Sequence, residues 1–388
     1  MKSIFKKAFA VVMALTMVFS LAACGANSYT SNNTEFVIGF SGPLTGPAAV
    51  YGVAVQNSAQ MAVDEINAAG GLNGVKFKLL ATDDTHDATK VAANYASMLE
   101  GGMQVSLGTV TTAPGLEFTN LSTEDNVFFI TPSASGDDIP ANDNGFQMCF
   151  ADGNQGKVAA DYVNSIGLKK IGLFYKSDDA YSNGIYKQFK ENLDSSIETV
   201  EAVFTDANAT DFSAQITTLK DCEFIFMPIY YTPASIFMTQ AKDTIAKDAV
   251  YYGCDGFDGL AGQFEDFSVI PQEVSMLSHF DSNATEGAAA DFIAKYTEKY
   301  DADTLNQFGA SAYDCVYAIY NAMKAAIDAG EEIDVTISAS DLCEILKAQF
   351  TGDFSFSGVT GTDITWEDNG YVSKEAVKYT LKTANSAQ

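Results

Sequence analysis

The sequence predicts an α/β fold of two doubly wound parallel-sheet lobes. Three observations predict it. From residue 36 short β-rich runs alternate with longer helical ones, in two tandem series, and strands alternating with helices build βαβ units around a parallel sheet. The 388 residues are long for one domain and comfortable for two. A hydrophobic content of 47% with 12% aromatics fills a core and excludes a disordered chain.

The first series opens with "FVIGF" (36–40), a strand. Residues 52–69 form a helix with Val53, Gln56, Ala59, Val63 and Ile66 along one stripe, and Gly70-Gly71 stop it. "VKFKLLATDD" (75–84) is the next strand, followed by a helix at 87–100. "MQVSLG" (103–108), a helix near 113–125 and "VFFI" (127–130) complete the set. The second series runs through "KKIGLFYK" (169–176), helix 183–193, "ETVEAVF" (198–204), helix 210–220, "EFIFMPI" (223–229), helix 233–246 and "AVYYG" (249–253). Long helices follow at 285–300, 305–329 and 339–349, with short β-like runs near 354–365 and 376–381. These late segments are too few for a third domain. They complete the first two lobes, so the chain crosses between lobes more than once.

The N-terminus fixes the expected compartment. "MKSIFKK" is basic, Ala8 to Ala23 is mostly apolar, and "LAAC" ends at Cys24: a secretory signal anatomy. The Leu-Ala-Ala-Cys ending resembles a lipobox, in which Cys24 is lipidated and becomes the new N-terminus. At 16 residues the apolar run is short for a bilayer span, which needs about 20. Residues 1–23 read as signal peptide and 24–35 as a polar tether from membrane to globule. The net charge of −28, less three lysines in the signal, becomes −31, which repels nucleic acid and anionic lipid. There is no arginine, so an anionic ligand must be held by lysine, hydroxyls or backbone N–H groups. Cys149, Cys222, Cys254, Cys315 and Cys343 are scattered and odd in number, and read as small buried hydrophobes rather than a disulfide framework. His86 and His279 are too isolated for a zinc site.

Ligands of open parallel sheets bind beyond the carboxyl ends of strands, where helix N-termini point their N–H groups. The text after each strand is therefore the place to look. It reads "SGPLTGPAAVYG", "TVTTAPG", "TPSAS", "SDDAYSNG", "YYTPAS" and "CDGFDG", dominated by hydroxyls, glycines, tyrosines and aspartates. In "FFITPSASGDD" (128–138) proline ends a strand, and the small, hydroxyl-rich residues after it make either an ordinary polar loop or a place where backbone and hydroxyls approach something small. No GxxxxGK[ST], HExxH or GxSxG occurs, and the aspartate turns lack full EF-hand spacing. Asp83-Asp84 are adjacent on an extended chain, point to opposite faces and read as a strand end. No nucleophile–base pair is evident.

"IGFSGPLTGPAAVYG", "AVDEINAAGGLNGVKFKLLATDD", "ITPSAS" and "FSGVTGTDITWEDNG" resemble the type I periplasmic-binding-protein family. Within it they are similar to the branched-chain amino acid-binding proteins of ABC importers, over essentially the whole chain from residue 36. The resemblance implies two lobes joined by three hinge crossovers and closing on a ligand. Lobe 1 would be 36–149 plus 280–355, and lobe 2 would be 150–279 plus 356–388. Thr112 would donate to the ligand carboxylate through its hydroxyl and N–H, and Ser135 would add a hydroxyl. Ser133 would offer a carbonyl to the α-ammonium, and Asp255 would pair with it. Tyr51, Tyr181, Tyr231 and Phe308 would border the side-chain pocket. No enzyme activity, cofactor or metal is implied. The implied partners are an amino acid, ABC permease and ATPase subunits, and the membrane through a lipid anchor; nucleic acid is excluded and the chain is expected to be monomeric.

The residues alone leave alternatives open. Thr112 stands where a helix N-cap belongs, Asp255 is equally a turn residue between glycines, and Phe308 and Tyr231 are equally core. Pro114 removes one backbone donor from the carboxylate loop. A sensing module for a signalling partner, or a receptor for a small amide or carboxylate, are the competing functions.

Overall fold

The computed structural model describes residues 33–384. The first sheet comprises β1 (Phe36–Gly42), β2 (Phe77–Asp83), β3 (Val105–Ser106), β4 (Phe129–Thr131) and β5 (Gly145–Gln147), ordered β2-β1-β3-β4-β5 and parallel throughout. The second comprises β6 (Lys170–Lys176), β7 (Glu198–Phe204), β8 (Phe224–Met227), β9 (Val250–Gly253), β10 (Glu273–Ser278) and β11 (Val377–Lys382). Its order is β11-β10-β9-β8-β6-β7, with only the edge pair β10–β11 antiparallel. All seven residues of β1 are buried, as expected of a parallel strand covered on both faces. The chain passes between the sheets three times: after β5, after β10 and before β11.

The helices are α1 (Ala49–Ala68), α2 (Val91–Glu100), α3 (Thr112–Asp125), α4 (Asp152–Ser165), α5 (Ala180–Asn192), α6 (Ser213–Leu219), α7 (Tyr231–Ala241), α8 (Gly287–Lys299), α9 (Gln307–Ala329) and α10 (Ala339–Phe350). Small residues such as Ala54, Ala59, Ala310 and Ala312 are fully buried where α1 and α9 pack together. On α8, Phe292 packs against Phe280 and Tyr313. Lys299 pairs with Asp64 of α1 at 2.6 Å. That pair is about half exposed, so it orients α8 more than it stabilises it; the buried aromatics hold it in place.

Three elements are additions to the expected set: β5, α4 and β10. Conversely, the run expected near 354–365 is no strand; it makes only isolated bridges, Phe356–Ile364 and, beyond it, Trp366–Val372. This stretch lies along the edge of the first sheet. Trp366 Nε1 donates to Gln147 O at 2.7 Å, Gln147 N donates to Gly370 O at 3.0 Å, and Tyr371 donates to Asp137 O. Only β11 then joins the second sheet.

Candidate ligand-binding site

In each sheet the strand order reverses once: between β1 and β3 in the first, and between β6 and β8 in the second. Such switch points open a crevice at the strand carboxyl ends, and here the two crevices face each other across one small, tightly closed cavity. The first lobe contributes Tyr51, Val110, Thr112, Ser133, Ser135 and Phe308. The second contributes Tyr181, Tyr230, Asp255 and Gly256.

The "TPSAS" turn is held from beneath. The Thr131 hydroxyl donates to Thr109 O and accepts Ala134 N at 2.9 Å, fixing the turn after β4. Gln147 Nε2 donates to Gly136 O at 3.1 Å. Ser133 and Ser135 are thereby buried at the cavity wall. Beside them Thr112 begins α3. The N-cap is Thr111, whose side chain makes no cap hydrogen bond, so Thr112 is not the cap. Its buried Oγ1 has no hydrogen-bond partner among the described residues. The Thr112 N–H lies in the first helical turn, where amides lack intrahelical acceptors.

Opposite stands Asp255, in the short turn after β9. The Tyr181 hydroxyl donates to Asp255 Oδ1 at 2.6 Å and accepts Gly256 N at 2.9 Å. Asp255 N donates to Gln155 Oε1 at 3.0 Å. A Cβ at residue 256 would sit 2.7 Å from the Tyr181 oxygen and 2.8 Å from Ile229 O, so only glycine lets the turn approach Tyr181 this closely. Burial pushes the Asp255 carboxyl up to about 6, opposed by hydrogen bonds from Tyr181 and Gln155. Behind it, Asp152 at the start of α4 is raised well above the carboxylate range by burial and by the charge of Asp255. Among the described residues no lysine forms an ion pair with either. This wall is two carboxyls short of a cation.

Aromatic rings close the remaining sides. Tyr230 stacks on Tyr181 with centroids 4.6 Å apart, and Tyr51 meets Phe308 edge-on at 4.9 Å. Of the eight candidate residues, seven line the cavity. Tyr231 does not: it packs behind Tyr51 in a T-shaped contact at 5.0 Å, and its hydroxyl accepts Val50 N. Its neighbour Tyr230 occupies the wall instead, because Tyr230 is the extended N-cap residue of α7 and Tyr231 the first helical one. Cys24 lies outside the described residues. The sequence reading missed Tyr230, Val110, Gly256, Gln155 and Asp152. Tyr230, Val110 and Gly256 adjoin residues it did single out, whereas Gln155 and Asp152 lie on the helix it missed.

A roomier surface cleft lined by Ser278, His279, Thr360 and Lys374 follows the crossovers. It sits at the carboxyl end of the outer strand β10, away from either switch point, and the Lys374 ammonium is already engaged by Thr360 beside Asp314. The smaller cavity is the better ligand site.

The model of the periplasmic binding protein family matches residues 35–376. The chain belongs to that family. Membership places this periplasmic binding protein outside the cytoplasm. It is 30% identical over 251 residues to Leu/Ile/Val-binding protein homolog 3 of Brucella melitensis, covering 63% of this chain and 68% of that one. To the Leu/Ile/Val-binding protein BraC3 of Rhizobium johnstonii it is 29% identical, over 80% of this chain and 84% of the relative. The branched-chain amino acid transporter substrate binding protein LivJ of Streptococcus pneumoniae, solved with isoleucine, superposes with a TM-score of 0.76 at 27% identity. That match covers 89% of this periplasmic binding protein and 100% of LivJ.

Proposed function

We propose that the protein is the solute receptor of an ABC importer, binding an amino acid, branched-chain or otherwise apolar, between its lobes and delivering it to the permease and ATPase subunits. The observation that carries this is the polarity of the cavity. One wall offers an unpartnered threonine hydroxyl at a helix N-terminus, which favours an anion. The other offers Asp255 with no cation beside it. A zwitterion satisfies both. Thr112 and Ser135 hold the carboxylate, Asp255 and the Ser133 carbonyl hold the ammonium, and Tyr51, Tyr181, Tyr230 and Phe308 enclose an apolar side chain. The names of the relatives, Leu/Ile/Val-binding proteins, and the isoleucine held by LivJ point the same way.

The receptor binds and releases its ligand unchanged, as a monomer. Lobe 1 is 36–149 with 280–355, and lobe 2 is 150–279 with 356–388, joined to the second sheet through β11. Residues 1–23 are removed, Cys24 carries the lipid, and 24–35 tether the globule to the outer face of the membrane. The test is mass spectrometry of what co-purifies with the protein, followed by thermal unfolding with each amino acid. Ligand bound to the folded state alone stabilises it by about 2.7 kcal/mol at a hundred times its Kd. Leucine, isoleucine or valine should raise the unfolding temperature; no response to any amino acid would contradict the assignment.

A further inference from the structure

We propose that Asp258 is a positioning residue of the binding site, a latch that fastens the Asp255 turn of the second lobe to the N-terminus of α9 in the first. The inference rests on the amino acid being held by Asp255 as proposed above. Asp255 and Asp258 stand at the two ends of one tight turn, closed by Asp258 N donating to Asp255 O at 2.9 Å. Asp255 faces the cavity. Asp258 reaches the other way, and its Oδ2 accepts the backbone N–H of Gln307, the first residue of α9, at 2.9 Å.

The arrangement completes a cap shared between lobes. The Asn306 side chain accepts the next two amides of α9, Phe308 N at 3.1 Å and Gly309 N at 3.0 Å. It leaves the Gln307 amide to the carboxylate of the opposite lobe. A helix N-terminus has unpaired amides and favours a negative group, so the contact is attractive on both counts. The first turn of α9 also carries Phe308, a wall of the cavity. A second bond holds the same turn next to Asp255: the Tyr51 hydroxyl donates to Gly256 O at 2.6 Å. The Asp255 turn is therefore pinned to the first lobe at two points, and lobe opening breaks both. Asp258 holds the ammonium partner in place without lining the cavity.

The test uses the purified mature protein with isoleucine as probe, and small-angle scattering of the same protein without it. Asp258→Ala removes the acceptor, and Asp258→Asn restores one. Gln307→Pro removes the donor at the helix position that best tolerates proline, behind an Asn306 whose backbone is already extended. Asp258→Ala and Gln307→Pro should each raise the isoleucine dissociation rate about ten-fold or more and enlarge the ligand-free particle, with no fall in the association rate. Asp258→Asn should recover most of the loss. Unchanged dissociation and unchanged ligand-free size in Asp258→Ala would overturn the latch. So would an equal fall in association rate with a lowered unfolding temperature, which marks a fold defect. The ligand-free size needs no ligand: failure of isoleucine to bind would count against the assigned ligand and leave that readout to decide the latch.

Discussion

Asp255→Asn should move ligand affinity and unliganded stability in opposite directions. Burial pushes the Asp255 carboxyl up to about 6 in the closed form, against about 3.9 for an ordinary aspartate. A carboxyl raised in this way favours the closed, folded form below pH about 4, and that contribution is lost as pH rises through about 6. At neutral pH the ionised group therefore costs about 3 kcal/mol until an ammonium arrives. Asparagine is neutral and keeps an oxygen for the Tyr181 hydroxyl. The unliganded variant should thus be as stable as the parent or more so, by up to about 3 kcal/mol. It should meanwhile lose the ammonium contact, a truncation that costs about 2–5 kcal/mol for a buried charge pair, or roughly 30- to several-thousand-fold in Kd. Calorimetric titration and thermal unfolding at pH 7 read the two quantities. Unchanged affinity would mean that no ammonium sits at Asp255; a joint fall of affinity and stability would make the residue structural.

Thr112→Ala should weaken binding about 10- to 100-fold through the lost charge-assisted hydrogen bond, with no loss of thermal stability, because the hydroxyl caps nothing in the unliganded protein; unchanged affinity in calorimetry would refute it. Burial holds Asp152, Asp255 and Asp258 above the carboxylate range, so the ligand-free protein should be more compact at pH 5 than at pH 7.5. Scattering that shows equal size or the reverse order would contradict this. Tyr231→Phe removes a hydroxyl that meets Val50 N and the Thr232 side chain outside the cavity and should change affinity less than about 5-fold, whereas Tyr230→Ala should cost much more; titration of both variants decides which tyrosine lines the cavity. Cys24→Ser should release the protein from membranes or leave an uncleaved precursor, and a mature variant still held in the membrane fraction would count against lipidation.

Strand–helix alternation made the two lobes legible, because parallel strands buried on both faces are continuous apolar runs such as β1 and β6. The elements that escaped have physical reasons. β5 spans only three residues, too short for any pattern. α4 begins with two glycines in its first five positions, which lowers its helix propensity. Gly156 is there because a Cβ would lie 2.6 Å from Gln188 Cβ and from Ile185 O on α5; tertiary packing, invisible in the sequence, demands the residue that hides the helix. At the site the errors are of one residue. Thr111 rather than Thr112 is the cap, and Tyr230 rather than Tyr231 faces the cavity. Helix starts are uncertain by that much from sequence, and a one-residue shift at a start swings a side chain from ligand to core. Ser133, Ser135 and Asp255 could be placed on the cavity wall from sequence because they follow β4 and β9 within a few residues, where placement depends on no long helix face.

The central claim is that one ligand bridges opposite charges across the two lobes. Calorimetric titration of the ligand-freed mature protein with isoleucine, with its analogue lacking the amine and with its amide tests it directly. Isoleucine should bind one to one, and each analogue, missing one charged end, should bind about 30-fold more weakly or worse. An analogue without the amine that binds as tightly as isoleucine would contradict the account.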